Sequence, residues 1–284
     1  MGNWGKNLLR EFSKIYTISH CISSGNKENI SWLVKNYPQI IFTSDFESIL
    51  KISSIKTIVI ATPISTHFNL ALLSLKSGKN VFVEKTIAET SKQGLELLRL
   101  AEQNNLCLFV GHIFNYHPIF QKILELNENE DIQFIKFNWL KPESSDENIF
   151  LDLLSHDLFL ILKLFGKPIS IKLLFSFEIS NKTDIISIEV KFPTKKCIID
   201  INRCHPYKSK TVSFQTNKGF YVWENYSLFK LDTESKQFQL FYDSNKSSLD
   251  LECKAFAEMI KNGPSYDNAQ LSIDVLKLIE QIKK

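Results

Sequence analysis

The sequence predicts an α/β protein in which an N-terminal parallel sheet is followed by an α+β domain with an open, mostly antiparallel sheet. Over residues 1–112, short β-branched runs alternate with amphipathic segments. This alternation is typical of a parallel sheet covered by helices on both faces. Beyond residue 112, strand-like runs follow one another across short polar turns, which favours antiparallel pairing. The change of pattern predicts two domains, at residues 1–112 and 113–284.

One stretch of the first domain reads as a strand, a turn and a helix in direct succession. A β-branched run over 57–61 ends at Thr62 and Pro63, where a strand has to stop. The helix that follows is expected to turn Leu70 and Leu73 towards the core, with Leu75 as a further candidate. This order predicts the first half of a βαβ unit.

The second strand of this unit ends on a charged pair. Residues 81–83 are Val-Phe-Val, and Glu84 and Lys85 follow them directly. Parallel α/β sheets bind ligands at the carboxyl ends of their strands. We therefore expect Lys85 at the edge of a cofactor crevice.

The remaining elements are predicted from apolar periodicity and from turn residues. In the first domain, helices are expected over 7–14, 27–36, 46–50 and 91–103, and strands over 17–23 and 106–110. In the second domain, helices are expected over 119–126, 149–165, 251–261 and 268–282, and strands over 132–139, 169–179, 185–192, 197–202, 212–215 and 220–223.

Composition argues against several classes of protein. The net charge of +3 is small and the basic residues are scattered, so nucleic-acid binding is not expected. No apolar run reaches the length of a membrane span, and the first residues do not read as a signal peptide. The 5 cysteines are odd in number and lie far apart, which favours reduced thiols in the cytoplasm over disulfides or zinc. No histidine pair has metal-ligand spacing, so no metal site is expected.

Glycines at the N-terminus match the end of a dinucleotide-binding fingerprint. Gly2 and Gly5 stand where the last two glycines of G-x-G-x-x-G precede a helix, whose N–H groups bind a pyrophosphate, and Trp4 lies between them. A lone G-x-x-G would favour a glycine-containing surface turn, and only the surrounding α/β pattern favours the fingerprint. The strand that should precede the fingerprint is absent from the sequence, so we expect the natural protein to begin upstream, with Met1 an internal methionine.

The tip of the second strand bears on the choice of cofactor. NAD-binding sheets commonly place Asp or Glu there to bind the ribose hydroxyls, but here no carboxylate precedes Glu28. The hydroxyls of Ser23 and Ser24 and the ammonium of Lys27 suit a 2′-phosphate better, which favours NADP over NAD. The alternative is a Ser/Gly turn with a solvated lysine.

An acid and a histidine share one face of the helix predicted over 149–165. Asp152 and His156 are four residues apart, and a carboxylate beside an imidazole fixes its tautomer for proton transfer. The alternatives are a surface ion pair or a capping Asp, and Asp157 is interpreted as structural. His67 begins the helix near the cofactor or is a polar residue of its first turn.

Four motifs occur in order along the chain. They are Ala61-Thr-Pro-x-x-x-His67, Gly78-Lys-Asn-Val-Phe-Val-Glu84-Lys85, Val110-Gly-His112 and Asp152-x-x-x-His156-Asp157. In this combination the chain resembles the Gfo/Idh/MocA oxidoreductases over its first domain and the opening of its second. The resemblance implies an NAD(P)-binding Rossmann domain at 1–112, lacking its first strand, and a substrate-binding and oligomerisation domain at 113–284.

The resemblance also implies hydride transfer between NADP, or NAD, and a hydroxyl carbon of a sugar, nucleotide-sugar or polyol. Lys85 would bind and polarise the reacting hydroxyl, His156 would be the acid/base, and Asp152 would assist it or bind substrate. The cofactor-binding positions would be Gly2, Trp4, Gly5, Ser23, Ser24, Lys27, Thr62, Pro63, His67 and Glu84. One departure is Thr86, because the family usually has proline after Glu-Lys.

Two other functions stay open at this point. One is a non-catalytic sensor of cofactor or sugar on the same fold, and the other is an imine or tetrapyrrole reductase with a similar first domain. A sensor does not need Lys85, Asp152 and His156 together, and an Asp-His pair favours a hydroxyl substrate. The sequence therefore favours a cytoplasmic, homo-oligomeric dehydrogenase with a small-molecule substrate.

Overall fold

The computed structural model describes residues 2–23, 26–142, 147–179 and 182–282, which form two compact units. The first unit contains the chain up to His112 together with Leu249–Asp274. The second contains Ile113–Ser248 and the chain from Val275 onwards. The division after His112 lies where the sequence pattern changes, whereas Leu249–Asp274 joins the first unit although the sequence places it in the second domain.

Helices and strands alternate along the first unit. Its helices are α1 Asn3–Phe12, α2 Lys27–Asn36, α3 Phe46–Leu50, α4 Ile64–Lys76 and α5 Ser91–Gln103, and its strands are β1 His20–Ile22, β2 Ile41–Thr43, β3 Thr57–Ile60, β4 Asn80–Glu84 and β5 Leu108–Gly111.

The second unit opens with a 3₁₀ helix, Ile113–Tyr116, and contains a long run of strands. Its helices are α6 Pro118–Asn129 and α7 Ser155–Phe165, the latter preceded by a π-helical turn, Phe150–Leu154, and its strands are β6 Ile132–Pro142, β7 Ser170–Glu178, β8 Thr183–Lys191, β9 Lys196–Asn202, β10 Cys204–Thr216, β11 Gly219–Glu224, β12 Ser227–Leu231 and β13 Phe238–Asp243. The chain continues with α8 Ser248–Asn262 and α9 Asp267–Ile282.

The parallel strands of the first unit form two sheets rather than one. β1 pairs with β2, and β3, β4 and β5 pair in that order. Within the described residues, no strand pairs with both β1 and β3, so no hydrogen-bond ladder joins the two sheets. β4, the central strand of the larger sheet, is buried from Val81 to Glu84, as expected for a parallel strand covered on both faces.

Four phenylalanine rings form the aromatic centre of the first unit. Phe82 of β4 lies 5.3 Å from Phe12 of α1, 5.3 Å from Phe109 of β5 and 5.5 Å from Phe256 of α8, measured between ring centroids. Rings at these separations contribute packing energy beyond the area that they bury. Phe256 explains why α8 belongs to this unit, and Phe12 fixes α1 against β4.

The buried face of α4 differs from the one predicted. The helix buries Ile64, His67, Ala71 and Leu75, which follow the i, i+3, i+4 spacing of one helical face. Leu73 was expected inside, but its side chain is 40% exposed, because it lies on the opposite face from Ala71 and Leu75. His67 is therefore a core residue of this helix.

The sheet of the second unit has eight strands in the order β13-β12-β11-β10-β6-β9-β8-β7. β6 and β9 pair in parallel, and every other neighbouring pair is antiparallel. This arrangement confirms the predicted mostly antiparallel sheet. β12 and β13 were not predicted, and five of the six residues of β13 are exposed, so this strand lacks the alternation by which strands are recognised.

Candidate active site

The N-terminus of α1 is open to an anion. Gly2 is the N-cap, and no side chain caps the helix, so the first backbone N–H groups have no acceptor within it. A Cβ at Gly2 would meet nothing within 4 Å. An uncapped helix start is the kind of feature that binds a pyrophosphate, and the roles of Gly2, Trp4 and Gly5 stay predictions.

Glu84 lies buried at the carboxyl end of β4. The Trp4 side chain hydrogen-bonds to its carboxylate, and Gly111 packs so closely that a Cβ there would stand 3.0 Å from Oε1. Burial raises the pKa of Glu84 to about 7, although the Trp4 hydrogen bond and the charge of Lys85 act in the opposite direction. Among the described residues, Oε1 has no hydrogen-bond partner, so this oxygen can accept a bond from a ligand.

His67 joins the two turns that flank this strand end. Its Nδ1 lies 2.7 Å from the Thr86 carbonyl oxygen and its Nε2 lies 2.8 Å from the Thr62 carbonyl oxygen. Both partners are carbonyl oxygens, which only accept hydrogen bonds. The Thr86 hydroxyl donates to the Ala88 carbonyl oxygen at 2.9 Å. Lys85, the predicted catalytic lysine, is half-buried beside these contacts, and its peptide bond to Thr86 is cis.

Two buried groups beside Glu84 were not assigned a role from the sequence. Glu252 of α8 is 0% exposed, and burial followed by the charge of Glu84 raises its pKa well above the usual range. His112, at the end of β5, is neutral because burial lowers its pKa to about 3. The Ser272 hydroxyl donates to the Asn268 carbonyl oxygen, so His112 Nε2–H donates to Ser272 Oγ at 2.9 Å.

The tip of β1 presents groups for a ribose or its phosphate. Ser23 follows the strand, and its backbone N–H donates to the Thr43 carbonyl oxygen at 3.3 Å. Asn26 caps α2 by accepting from the Asn29 N–H at 3.1 Å, and Lys27 is exposed in the first turn. Ser24, also predicted to bind the cofactor, lies outside the described residues. An exposed ammonium without a carboxylate before Glu28 fits a 2′-phosphate better than a free hydroxyl.

Thr62 and Pro63 stand exposed between β3 and α4. The Thr66 hydroxyl donates to the Pro63 carbonyl oxygen at 2.8 Å, so the Thr62 hydroxyl donates to Thr66 Oγ1 at 2.6 Å. These bonds fix the turn at the carboxyl end of β3. The uncapped α1 helix, the orphaned Glu84 oxygen and this fixed turn together fit a dinucleotide cofactor in the first unit.

In the second unit, Asp152 faces a buried arginine. Asp152 lies in the π-helical turn and forms an ion pair with Arg203, Nη2 to Oδ2, at 3.5 Å. Arg203 is 1% exposed and also donates from Nη1 to the Glu147 carbonyl oxygen at 2.7 Å. A guanidinium with two such partners holds the carboxylate of Asp152 in a fixed direction.

His156 is enclosed by aromatic rings. The edge of Phe114 packs against it at 5.1 Å and Trp139 lies 5.6 Å away, between ring centroids. The next residue, Asp157, is 0% exposed. Its Oδ1 accepts from Lys210 Nζ at 2.7 Å, and Oδ2 has no hydrogen-bond partner among the described residues. Burial raises the pKa of Asp157, while Lys210 opposes the rise.

A second histidine continues this aromatic surface. His117 lies 4.8 Å from Trp223 and 5.0 Å from Tyr226, whose side chain is 48% exposed. Burial, and then the charge of Lys210, lower the pKa of His117 to about 4. Its Nδ1 accepts the Ile119 N–H at 3.2 Å, so the neutral ring carries its proton on Nε2.

Lys210 had no predicted role because the strand was expected only from residue 212. In the structure β10 begins at Cys204, and Lys210 lies directly opposite Trp139 of β6. A lysine in alternation with the buried Val212 and Phe214 is the signal that could have identified it. Asp157, interpreted as structural from the sequence, is its partner.

Comparison with known proteins agrees with this geometry. Residues 2–112 match the family model described as GFO_IDH_MocA, an oxidoreductase family with an NAD-binding Rossmann fold. Over these residues the chain is similar to the Gfo/Idh/MocA family. The match begins at residue 2, and a strand upstream of α1 stays a prediction.

Two relatives of known activity match about half of this chain. UDP-N-acetylglucosamine 3-dehydrogenase of Acidithiobacillus ferrooxidans is 27% identical over 137 residues, which are 47% of this chain and 44% of that protein. The NADP⁺-dependent scyllo-inositol 2-dehydrogenase of Bacillus subtilis is 25% identical over 167 residues, 54% of this chain and 46% of that protein. The matches thus span about half the length of these relatives.

Solved structures extend the likeness to the whole chain. The structure of the Acidithiobacillus ferrooxidans UDP-N-acetylglucosamine 3-dehydrogenase has a TM-score of 0.88 at 18% identity and covers 99% of this chain and 93% of that one. Biliverdin reductase of Synechocystis, solved with biliverdin and NADP⁺, has a TM-score of 0.83 at 14% identity, with 99% and 95% covered. At these identities the likeness establishes the fold alone.

The described residues contain neither a metal-binding cluster nor a membrane-spanning helix. No group of three or more His, Cys, Asp and Glu side chains within them could hold a metal ion. No helix among them is long and apolar enough to cross a membrane.

Proposed function

We propose that the protein is an NAD(P)-dependent dehydrogenase or reductase that acts on a CH–OH group of a sugar, a nucleotide-sugar or a polyol. The observation that carries the proposal is the family match over residues 2–112, with Lys85 directly after the carboxyl end of β4. The matched relatives include dehydrogenases of a nucleotide-sugar and of an inositol. A shared fold alone would not suffice, since biliverdin reductase has it too.

In this proposal each predicted catalytic residue has one chemical task. When bound, the nicotinamide supplies the acceptor for the hydride. Lys85 binds the reacting hydroxyl and stabilises the negative charge that develops on its oxygen. His156 takes the hydroxyl proton on a ring nitrogen as the general base. Asp152, held by Arg203, binds a substrate hydroxyl or assists His156.

The cofactor is assigned to the first unit. The N–H groups of α1 bind the pyrophosphate, the orphaned Oε1 of Glu84 accepts a hydrogen bond, and Lys27 with Ser23 favours NADP. We expect NADPH to bind more tightly than NADH, measured by nicotinamide fluorescence with each nucleotide in turn. Equal affinity for both nucleotides would contradict the inference that Ser23 and Lys27, at the tip of β1, favour NADP over NAD.

Turnover tests the enzyme assignment directly. A panel of UDP-N-acetylglucosamine, inositols and free sugars, each with NADP⁺, is expected to include a substrate that produces NADPH. Selective nucleotide binding without turnover on any sugar, nucleotide-sugar or polyol would support a sensor instead. Absence of nucleotide binding would contradict both functions.

We further propose a cytoplasmic homo-oligomer. Phe175 and Phe177 of β7 are 51% and 54% exposed, and Leu240 of β13 is 57% exposed. Exposed apolar side chains of this size are a common feature of contacts between subunits. Light scattering after gel filtration is expected to give a mass above 32.9 kDa, and Phe175→Asp with Phe177→Asp is expected to lower it. A monomeric mass would contradict the proposal.

A further inference from the structure

Lys210 occupies a position that a lysine rarely takes. It lies on the β10 face that also carries the buried Val212 and Phe214, directly opposite Trp139. Its side chain is only 15% exposed. An ammonium in such surroundings is costly unless nearby groups compensate its charge.

Three groups from three elements surround this ammonium. Nζ donates to Asp157 Oδ1 of α7 at 2.7 Å. It also lies 3.6 Å from the ring centroid of Trp139 on β6 and 3.8 Å from that of Phe114 in the 3₁₀ helix. Both rings are well within the range of cation–π attraction. Lys210 therefore links α7, β6 and the 3₁₀ helix through one charge.

The same two rings enclose the predicted acid/base. Phe114 meets His156 nearly perpendicularly, at 5.1 Å and 88°, and Trp139 lies 5.6 Å from it at 43°. Asp157, the anchor of Lys210, is the residue next to His156 in the first turn of α7. Each of these three groups is thus either a contact or a chain neighbour of His156.

We propose that Lys210 is a positioning residue, which fixes the imidazole of His156 by holding Phe114, Trp139 and Asp157 in place. This inference rests on the proposed function, in which His156 transfers the proton. Lys210 acts through the two rings and the carboxylate. Its effect is therefore on the orientation of the base, and nucleotide binding by the first unit does not depend on it.

Stability alone explains the arrangement poorly. Buried ion pairs often contribute no more stability than apolar residues of similar volume, because both charges lose their water. Apolar residues at both positions would fill the space and would avoid burying Asp157 Oδ2, which has no hydrogen-bond partner among the described residues. What an apolar side chain cannot supply is a charge that holds two ring faces and a carboxylate at once.

The central test compares Lys210→Met with wild type on the substrate identified by the panel. We expect kcat to fall about 10²-fold, because a small displacement of a catalytic group costs this much, while NADPH affinity stays the same. Lys210→Arg should retain more turnover than Lys210→Met, since a guanidinium also stacks on rings and pairs with carboxylates. Lys208→Met is the matched control, because Lys208 is exposed on the same strand, and it should behave as wild type.

A double variant separates positioning from folding. Lys210→Met alone leaves Asp157 without its cation, whereas Asp157→Asn with Lys210→Met removes both charges. We expect the double variant to regain thermal stability while kcat stays low. Recovery of kcat together with stability would overturn the proposal and leave Lys210 with a structural role only.

Chemical modification of His156 supplies a test that needs no substrate. With diethyl pyrocarbonate and peptide mass spectrometry, we expect His156 to react faster in the folded double variant than in wild type, while His205 reacts equally in both. An unchanged rate at His156 would overturn the proposal. If wild type turned over no substrate of the panel, the proposed function would fail, and this rate would still decide whether Lys210 positions His156.

Discussion

The two units bury acidic side chains beside different partners. In the first unit, Glu84 and Glu252 lie together and burial raises the pKa of both. In the second, Asp157 is equally buried but has Lys210 2.7 Å away. Burial raises the pKa of all three acids, and the nearby cations Lys85 and Lys210 oppose the rise at Glu84 and Asp157. Of the three, only the acid of the second unit has a cation within ion-pair distance among the contacts described.

The largest expected effect on turnover comes from replacing Lys85, the lysine next to Glu84 in the first unit. Lys85→Met should lower kcat by about 10²–10³-fold, because one electrostatic partner of the developing alkoxide is lost. It should also raise the pKa of Glu84 further, since Lys85 opposes the effect of burial. NADPH affinity should change little. Steady-state kinetics and a fluorescence titration check both expectations, with the exposed Lys92→Met of α5 as control. Unchanged turnover would remove Lys85 from the mechanism.

Neutral substitutions of the two kinds of acid should differ in stability. Asp157→Asn removes the carboxylate that pairs with the largely buried Lys210 and should cost about 3–5 kcal/mol of unfolding free energy. Glu252→Gln replaces an acid that is already neutral, and the cost should be about 1 kcal/mol or less. Urea unfolding of both variants at pH 7 measures the difference. Equal losses would contradict the contrast between the two units.

The pH dependence of stability should carry opposite signs for Glu84 and His112. The native pKa of Glu84 is raised from 4.5 to about 7, so its contribution is complete below pH 4.5 and is lost as the pH rises to 7. The native pKa of His112 is lowered from 6.5 to about 3. Its contribution is therefore complete above pH 6.5 and is lost as the pH falls towards 3.

Two single variants separate these contributions. The stability of wild type relative to Glu84→Gln should fall between pH 4.5 and 7, and its stability relative to His112→Asn should rise between pH 3 and 6.5. Urea midpoints at several pH values give both slopes. Two slopes of the same sign would show that burial does not set both titrations.

The smallest effect is expected from an ion pair on the surface of the second unit. Lys136 Nζ lies 2.7 Å from Asp200 Oδ2, with side chains 43% and 31% exposed. Lys136→Met should cost less than about 1 kcal/mol, because water and salt screen this pair. If Lys136→Met lost as much unfolding free energy as Asp157→Asn, burial would not explain why the Lys210–Asp157 pair contributes more than the Lys136–Asp200 pair.

Much of the fold could be predicted because its signals are local. β4 and α5 follow from a β-branched run and from an amphipathic stretch that Thr90 and Gln93 cap. β13 could not be predicted, since a strand that buries neither face has no alternation. The inward face of α4 was partly wrong because Leu73 is apolar yet exposed, which only packing reveals.

The candidate site also has features that the sequence predicts and features that it does not. The position of Glu84 and Lys85 at a strand end follows from chain order, because parallel strands present their carboxyl ends together. Asp152 and Arg203 form an ion pair although they are 51 residues apart in the sequence, and no local sequence pattern predicts this pair. The role of Asp152 beside His156 stays a prediction, as do the cofactor positions.

The sequence by itself determined the fold class, the change of pattern after His112 and the family motifs, because periodicity, turn residues and motif order are properties of neighbouring residues. Only the tertiary structure decided which charges are buried together. Glu84 meets Glu252 of a distant helix, and Asp157 meets Lys210 across 53 residues. The physical reason is that protonation and ion pairing depend on the water that surrounding atoms exclude, and those atoms come from elements far apart in the chain.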